Sequence, residues 1–165
     1  MNLNSNTLIL QRLSENKELF YTSIGYNAIP FKIKKLNSND SIFLSDFKGK
    51  FWYTNFWGTW CEPCVKDLSK IVEAYKRTSR VDIQFLGIAV RDEKEGLEVY
   101  IDDFNIKYPQ VLESDSKNLQ KRYNIIGLPT IFLIDRKGKI IAKSLKGDNL
   151  LDSLNYYIKN YKDYY

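Results

Sequence analysis

Two cysteines separated by two residues are the side chains in this sequence best suited to unusual chemistry. Cys61 and Cys64 are the only cysteines among its 165 residues. At the start of a helix, residues three apart lie on one face with their Cβ atoms roughly 5–6 Å apart. A disulfide needs Cα atoms roughly 4.4–6.8 Å apart, so this spacing suits a bridge that can form and break. The pair therefore predicts a redox-active dithiol.

The segments on either side of the cysteines are a predicted strand and a predicted helix. Residues 51–57 read FWYTNFW and lie between two glycines, which indicates a buried central strand. Residues 62–77 have helical periodicity, with a predicted buried face of Cys64, Leu68, Ile71, Val72 and Tyr75. Cys61 would then lie at a helix N-terminus, where backbone N–H groups and the helix dipole favour a thiolate.

This arrangement assigns different roles to the two sulfurs. We expect Cys61 to be the attacking thiol and Cys64, one turn further and more buried, to be the resolving thiol. Pro63 would occupy the first helical turn, where its missing N–H is not needed. A structural disulfide is the alternative, but a bridge that closes so short a loop constrains the unfolded chain little.

The composition excludes several other kinds of site. The chain has no histidine, which removes histidine-based acid–base catalysis and histidine-containing zinc or copper sites. Two cysteines cannot form a four-cysteine metal site. We therefore expect neither a metal nor another cofactor. The net charge is +5, but lysines and acids are mixed along the chain, so no basic stripe indicates nucleic-acid binding.

The N-terminal segment and the membrane signals bear on domain organisation and location. Residues 1–24 form a predicted polar extension, in which Leu8, Leu10, Leu13, Leu19 and Phe20 hint at a short helix. Residues 25–165 form the predicted domain. No apolar run approaches the ~18 residues of a membrane span, and the N-terminus lacks the basic start of a signal peptide. The protein is then either cytoplasmic or exported by a segment outside this chain.

The remaining elements alternate between strands and helices. Strands are predicted at 31–36, 41–44, 81–90, 130–135 and 139–143. Helices are predicted at 93–105, with Leu97, Ile101 and Phe104 buried, at 116–123, and at the C-terminus around Leu150, Leu151, Leu154 and Ile158. The last two strands flank Arg136-Lys137-Gly138 and form a predicted hairpin. This order predicts an α/β fold, a mixed central β-sheet with helices on both faces.

The stretch FWGTWCEPC, from Phe56 to Cys64, resembles the active site of the thioredoxin superfamily. It is most similar to the TlpA/ResA-like branch, the membrane-associated thiol reductants of cytochrome c maturation. Gly127-Leu128-Pro129-Thr130 matches that family's cis-proline loop. Residues 90–124 match its extra strand–helix insertion before this loop. Asn55 stands where the branch usually has asparagine and thioredoxin a buried aspartate.

The resemblance covers residues 26–160 and implies a thioredoxin-like fold and a thiol–disulfide oxidoreductase. It implies reduction of disulfide-containing protein substrates, apocytochrome c among them, and an upstream thiol reductant, which is membrane-bound in that branch. It favours a periplasmic or membrane-tethered location. We expect a monomer that binds neither nucleic acid nor metal.

Four further residues, Trp60, Glu62, Leu128 and Pro129, belong to the predicted substrate-binding surface. With a cis bond before Pro129, Leu128 would expose backbone groups beside the cysteines for pairing with an extended substrate. Trp60 would supply an apolar wall. Glu62, between the cysteines, should disfavour the Cys61 thiolate and make the couple less oxidising.

Asp67 is the candidate proton acceptor. It lies three residues after Cys64 on the interior side of the helix, and a partly buried carboxylate can exchange a proton near neutral pH. The family has an acid at this position, commonly the longer glutamate. The simpler interpretation is a solvated acid near Lys70.

Other functions of the same scaffold remain open from the sequence. A peroxiredoxin-like peroxidase usually has threonine three residues before its reactive cysteine, and Gly58 occupies that position. A copper-binding module typically has wider cysteine spacing and a histidine. A non-catalytic interaction domain is the third alternative. Covalent haem attachment fails because Val65, instead of histidine, follows Cys64.

Overall fold

A five-stranded mixed sheet forms the centre of the protein. The structure is a computed structural model that describes residues 22–115 and 118–161. The strand order is β5-β4-β3-β6-β7, in which β3, β4 and β5 are parallel and β6 and β7 are antiparallel to their neighbours. The strands are β3 (Phe51–Trp57), β4 (Ile83–Ala89), β5 (Gln110–Leu112), β6 (Thr130–Ile134) and β7 (Ile140–Lys143). The predicted mixed sheet is confirmed.

Four helices and a small second sheet cover the two faces of this sheet. The helices are α1 (Glu62–Arg77), α2 (Lys94–Asp103), α3 (Leu119–Arg122) and α4 (Leu150–Asn160). Buried residues of α1, α2 and α4 share one core with both cysteines. The opposite core lies beneath α3 and a two-stranded sheet of β1 (Lys32–Lys34) and β2 (Ser41–Phe43). Both faces are therefore covered, as predicted.

Strand β3 lies between these two cores, and all seven of its residues are buried. Tyr53 and Trp57 face the core that contains the cysteines, and Trp52 and Phe56 face the other. Because successive side chains of a strand point to opposite faces, a strand covered on both sides needs an unbroken apolar run. That requirement explains the aromatic sequence just before the cysteines.

Most predicted elements are confirmed, some with changed limits. Strand β3 and helix α1 have the predicted bounds, and Gly138 turns the β6–β7 hairpin with a φ of +91°. Tyr75, predicted in the core, is only half-buried, because Ala74 takes the buried position. The strands predicted at 31–36 and 41–44 are shorter and form their own sheet instead of an edge of the main one.

The site end of β3 is supported by a buried polar contact. Trp57 Nε1 donates a hydrogen bond of 3.1 Å to Gln110 Oε1, and both side chains are buried. The Gln110 side chain occupies the space above Gly87, where an added Cβ would overlap Gln110 Oε1. Glycine at this position therefore allows β5 to hold the last residue of β3.

The N-terminal predictions fall mostly outside the described residues. The short helix suggested by Leu8 to Phe20 lies within residues 1–21, and the boundary between extension and domain stays a prediction. Among the helices of residues 22–115 and 118–161, none combines the length and apolarity that crossing a membrane requires.

Candidate active site

The connection between β3 and α1 places Cys61 at the start of the helix. Cys61 N–H donates to Gly58 O at 3.0 Å, closing a tight turn, and Val65 N–H donates to Cys61 O at 3.0 Å, the first helical hydrogen bond. Cys61 is the N-cap residue, and its Sγ accepts a hydrogen bond of 3.3 Å from Cys64 N–H. Pro63 lies in the first helical turn as predicted.

The two cysteines are joined in a disulfide. Their Cα atoms are 5.2 Å apart, within the range that a bridge allows. Cys61 is 5% exposed and Cys64 2%, so the expected difference in burial is small. Position distinguishes the two sulfurs better than burial does, because Cys61 Sγ takes the N-cap position at the positive end of the helix dipole.

The cis-proline loop lies at the same edge of the sheet as the cysteines. The Leu128–Pro129 peptide bond is cis, as the resemblance implied. Thr130 at the start of β6 pairs with Phe56, so the residues that precede it lie beside the carboxyl end of β3. Leu128 is half-buried against both cores, and among the described residues its backbone N–H and C=O have no backbone partner.

Trp60 lies on the surface beside the disulfide and is held in place. Its side chain is half-exposed, and its Nε1 donates a hydrogen bond of 3.0 Å to Val90 O. Arg91 lies over its ring with the guanidinium carbon 4.5 Å from the centroid. A Cβ at Gly58 would come within 2.6 Å of Trp60 Nε1. Glycine therefore permits the ring to pack against the turn.

The loop after β4 holds the turn that contains Thr59, a contact that was not predicted. Asp92 accepts two hydrogen bonds from Thr59, from its N–H at 2.8 Å and its Oγ1 at 2.6 Å. Val90 N–H donates to Trp57 O at 2.8 Å. The residue just before Trp60 is thus fixed by a segment more than 30 positions away, and no short-range pattern could reveal that contact.

Comparison with known proteins agrees with this geometry. Residues 24–143 match the AhpC/TSA family model. The thiol-disulfide oxidoreductase ResA of Bacillus thuringiensis subsp. konkukian is 32% identical over 136 residues, 82% of this chain and 77% of that protein. ResA of Bacillus subtilis is 34% identical over 119 residues, 72% of this chain and 65% of that protein.

Solved structures show the same likeness. The crystal structure of the thioredoxin domain of a thiol-disulfide oxidoreductase from Bacteroides vulgatus has a TM-score of 0.75 at 28% identity, covering 83% of this chain and 99% of that one. A thiol:disulfide interchange protein from Bacteroides sp. has a TM-score of 0.75 at 29% identity, with 86% and 93% covered. The chain belongs to the TlpA/ResA-like branch of the thioredoxin superfamily. Its fold is thioredoxin-like, and its activity class is that of a thiol–disulfide oxidoreductase.

Asp67, the acid three residues after Cys64 in this ResA-like chain, lies partly inside the protein. The Asp67 side chain is 18% exposed, and its Oδ2 lies 3.9 Å from Lys146 Nζ. Lys70 pairs instead with Asp148 at 2.8 Å, so the interpretation of Asp67 as a solvated partner of Lys70 is wrong. Both lysines contact acids that are distant in sequence because α1 packs against α4 and the loop before it.

Tyr53 is a buried titratable residue of the core that contains the cysteines. Its hydroxyl donates a hydrogen bond of 3.0 Å to Leu145 O. Burial raises the pKa of Tyr53 well above its ordinary value, and the charges of Tyr108 and Asp67 raise it further. Tyr53 therefore stays protonated throughout the pH range in which thiols ionise.

Glu62 is less effective than its sequence position suggests. It is exposed, and its Oε1 lies 2.7 Å from Lys66 Nζ, one helical turn along. An ammonium so close offsets part of the negative charge that Glu62 presents to Cys61. The expected effect of Glu62 on the thiolate is correspondingly reduced.

Asn55 is buried at the position that distinguishes this branch from thioredoxin. It is 1% exposed, and among the described residues its Oδ1 has no hydrogen-bond partner. Strand alternation directs it to the face that carries Tyr53 and Trp57. Within residues 22–115 and 118–161, no three acidic or cysteine side chains cluster as a metal site would require.

Proposed function

We propose that this protein reduces disulfides in other proteins through the Cys61–Cys64 couple, with Cys61 as attacking and Cys64 as resolving thiol. The observation that carries this proposal is the N-cap position of Cys61. A sulfur that already accepts a backbone N–H at a helix N-terminus is the one better stabilised as a thiolate.

The exchange would proceed in two displacements. The Cys61 thiolate attacks one sulfur of the substrate disulfide, forms a mixed disulfide, and the second substrate sulfur leaves as a thiolate that takes up a proton. Cys64 then loses its proton and attacks Cys61 Sγ, which releases the first substrate sulfur. Two electrons pass to the substrate, and the protein dithiol becomes the disulfide seen here. A separate dithiol reductant must restore it.

The surface around Cys61 suits an extended protein substrate. Leu128 offers backbone groups beside Pro129 that have no backbone partner in the part of the chain that the structure describes, and these can bond a substrate strand. Trp60 supplies a half-exposed apolar wall, and Glu62 and Pro63 are exposed on the helix start. Ile126, which sequence reasoning missed, is 93% exposed two residues before Leu128 and extends the apolar surface.

The substrate, donor and location remain proposals that rest on the resemblance to the branch. We propose apocytochrome c as one disulfide-containing substrate and a membrane-bound dithiol protein as the upstream reductant. The reaction would take place outside the cytoplasm, in the periplasm or at a membrane surface, with a cytoplasmic location as the alternative. The protein would act as a monomer.

The direction of the reaction can be measured with a simple substrate. With dithiothreitol as donor, catalytic amounts of the protein should accelerate the reduction of insulin disulfides beyond the rate with dithiothreitol alone. The oxidised protein should be a poor oxidant of reduced, unfolded ribonuclease A. A protein that oxidises ribonuclease A rapidly and leaves insulin intact would contradict the reductase assignment.

Asp67 is proposed as the group that takes the proton of Cys64 during release of the mixed disulfide. Asp67→Asn should slow insulin reduction near neutral pH by about tenfold, less than the ~10²–10⁴-fold typical of acid–base groups because thiols are already acidic. The loss should shrink above pH ~8.5, where an ordinary thiol ionises unaided. Tyr53 cannot produce this profile because burial raises its pKa well beyond that range.

Asp148→Asn is the matched control for this profile. Like Asp67→Asn, it removes one negative charge next to helix α1. Asp148 differs from Asp67 because its side chain is 86% exposed and pairs with Lys70 of α1. We expect its pH–rate curve to follow the wild type. If the Asp67→Asn curve also overlaps the wild type, Asp67 has no part in proton transfer. An offset that is constant at all pH values would indicate a packing or binding role instead.

A further inference from the structure

Arg91 is held over the ring of Trp60, the residue before Cys61, by a loop that is anchored on both sides. Before it, Val90 bonds Trp57 through its N–H and receives the Trp60 indole N–H at its carbonyl. After it, Asp92 accepts both hydrogen bonds of Thr59. The position of Arg91 relative to the cysteine turn is therefore fixed by contacts made by its neighbours.

The backbone conformation of Arg91 is one that arginine does not favour. Its φ is +52°, in the left-handed region where a side chain other than that of glycine, asparagine or aspartate is disfavoured. Most of the other non-glycine residues with positive φ are asparagines, namely Asn37, Asn105, Asn118 and Asn124. Arginine here has no backbone advantage, so the reason for it lies in its side chain.

The guanidinium of Arg91 is free to bind an anion. It is exposed and lies on the face of Trp60, and it makes no ion pair or hydrogen bond within residues 22–115 and 118–161. Two acids follow Arg91 in the chain. Asp92 is bonded to Thr59, and within the described residues Glu93 makes no ion pair with Arg91.

We propose that Arg91 is a specificity-determining residue that favours disulfide substrates with an acidic side chain next to the attacked cysteine. This inference rests on the proposed function. A guanidinium presents N–H donors in a planar fork that matches a carboxylate, and its position over the Trp60 ring keeps that fork beside the cysteine turn. An extended substrate that lies against Trp60 and Leu128 would bring its flanking residue within reach of Arg91.

Two synthetic peptides test this preference. They carry the same intramolecular disulfide and differ only in glutamate or glutamine beside the first cysteine. The fully reduced protein is mixed with each peptide in a single turnover, so no upstream reductant is needed. For each protein, the reduction rate of the glutamate peptide is divided by that of the glutamine peptide. The measured quantity is this ratio in the wild type divided by the same ratio in Arg91→Gln. Differences in intrinsic peptide reactivity cancel in this double ratio.

The double ratio should be about three to five, the upper part of the range that a single exposed ion pair supplies. It should fall towards one at about 1 M salt, where the Debye length is about 3 Å. Arg91→Gly, which suits the left-handed backbone, should lose the preference as Arg91→Gln does. Arg136→Gln is the matched control, because Arg136 also stacks on a ring, 4.7 Å from the Phe51 centroid at the other end of β3, and it should keep the wild-type ratio.

A double ratio of one at low salt, or a preference that survives both Arg91 substitutions, would overturn the role of Arg91. Equal reduction of both peptides by the wild type and by Arg91→Gln would do so while leaving the reductase function intact. If the wild-type protein reduces neither peptide, the proposed function itself fails.

Discussion

Cys64→Ser should accumulate a mixed disulfide with a substrate protein, and Cys61→Ser should accumulate none. In Cys64→Ser the N-cap sulfur can still attack, but no second thiol is present to release the substrate. In Cys61→Ser the remaining sulfur lies one turn inside the helix, away from the N-cap position, so its thiolate lacks the stabilisation that favours attack on a substrate disulfide. Each variant should lose turnover with insulin completely.

Both variants should fold, which makes the comparison interpretable. Serine is a favourable N-cap residue, so Cys61→Ser keeps a hydrogen-bond acceptor at the helix start. The structural contribution of a bridge over so short a loop is small. Covalent adducts are counted by intact mass after acid quenching, and the double variant gives the background. Equal trapping by the two single variants would show that the assignment of attacking and resolving thiols is wrong.

The elements that position the cysteines could be predicted because their signals are local. The aromatic run of β3 is continuous, and the apolar period of α1 begins immediately after Cys61, so both were predicted with their observed limits. The β6–β7 hairpin was predicted from Gly138, which adopts positive φ at its turn. The cis bond before Pro129 came only from the family resemblance, because an X–Pro bond is normally trans.

The contacts that complete the site could not be predicted because they join distant segments. Strand β5 has only three residues, too few for a periodic signal, yet its Gln110 holds Trp57 through the space above Gly87. Asp92 binds Thr59 across 33 positions of the chain. These pairs depend on which strands are neighbours in the sheet, and that order is a property of the whole fold.

Charge partners were the least predictable features. Helical spacing placed Lys70 near Asp67, but Lys70 pairs with Asp148 and Asp67 lies near Lys146. A long flexible lysine side chain can pair with any of several acids within its reach. Which acids are within reach of α1 depends on the position of the loop before α4. Glu62 likewise acquired Lys66 as a partner, which reduces its influence on Cys61.

The reduction potential of the couple should nevertheless be that of a reductant. Strong oxidases owe their potential to a highly stabilised reduced form. In this chain Cys61 Sγ accepts one backbone hydrogen bond, from Cys64 N–H. The chain has no histidine to add positive charge, and Glu62, which follows Cys61, is an acid. A thiolate with so little added stabilisation should give a potential near the ~−270 mV of thioredoxin.

The reduction potentials expected for a reductant and for an oxidase differ widely. The ~−270 mV of thioredoxin and the ~−120 mV of a strong oxidase differ by about 150 mV, which corresponds to about 7 kcal/mol for a two-electron couple. The measurement therefore separates a reductant from an oxidase clearly.

The most direct test of the reductase assignment is a measurement of the reduction potential. The protein is equilibrated with dithiothreitol or glutathione buffers and quenched with acid, and its free thiols are alkylated and counted by mass. We expect a single two-electron transition of Cys61 and Cys64 with a midpoint near −270 mV on the scale where protein disulfide isomerase lies at ~−180 mV. A midpoint above roughly −180 mV would contradict it.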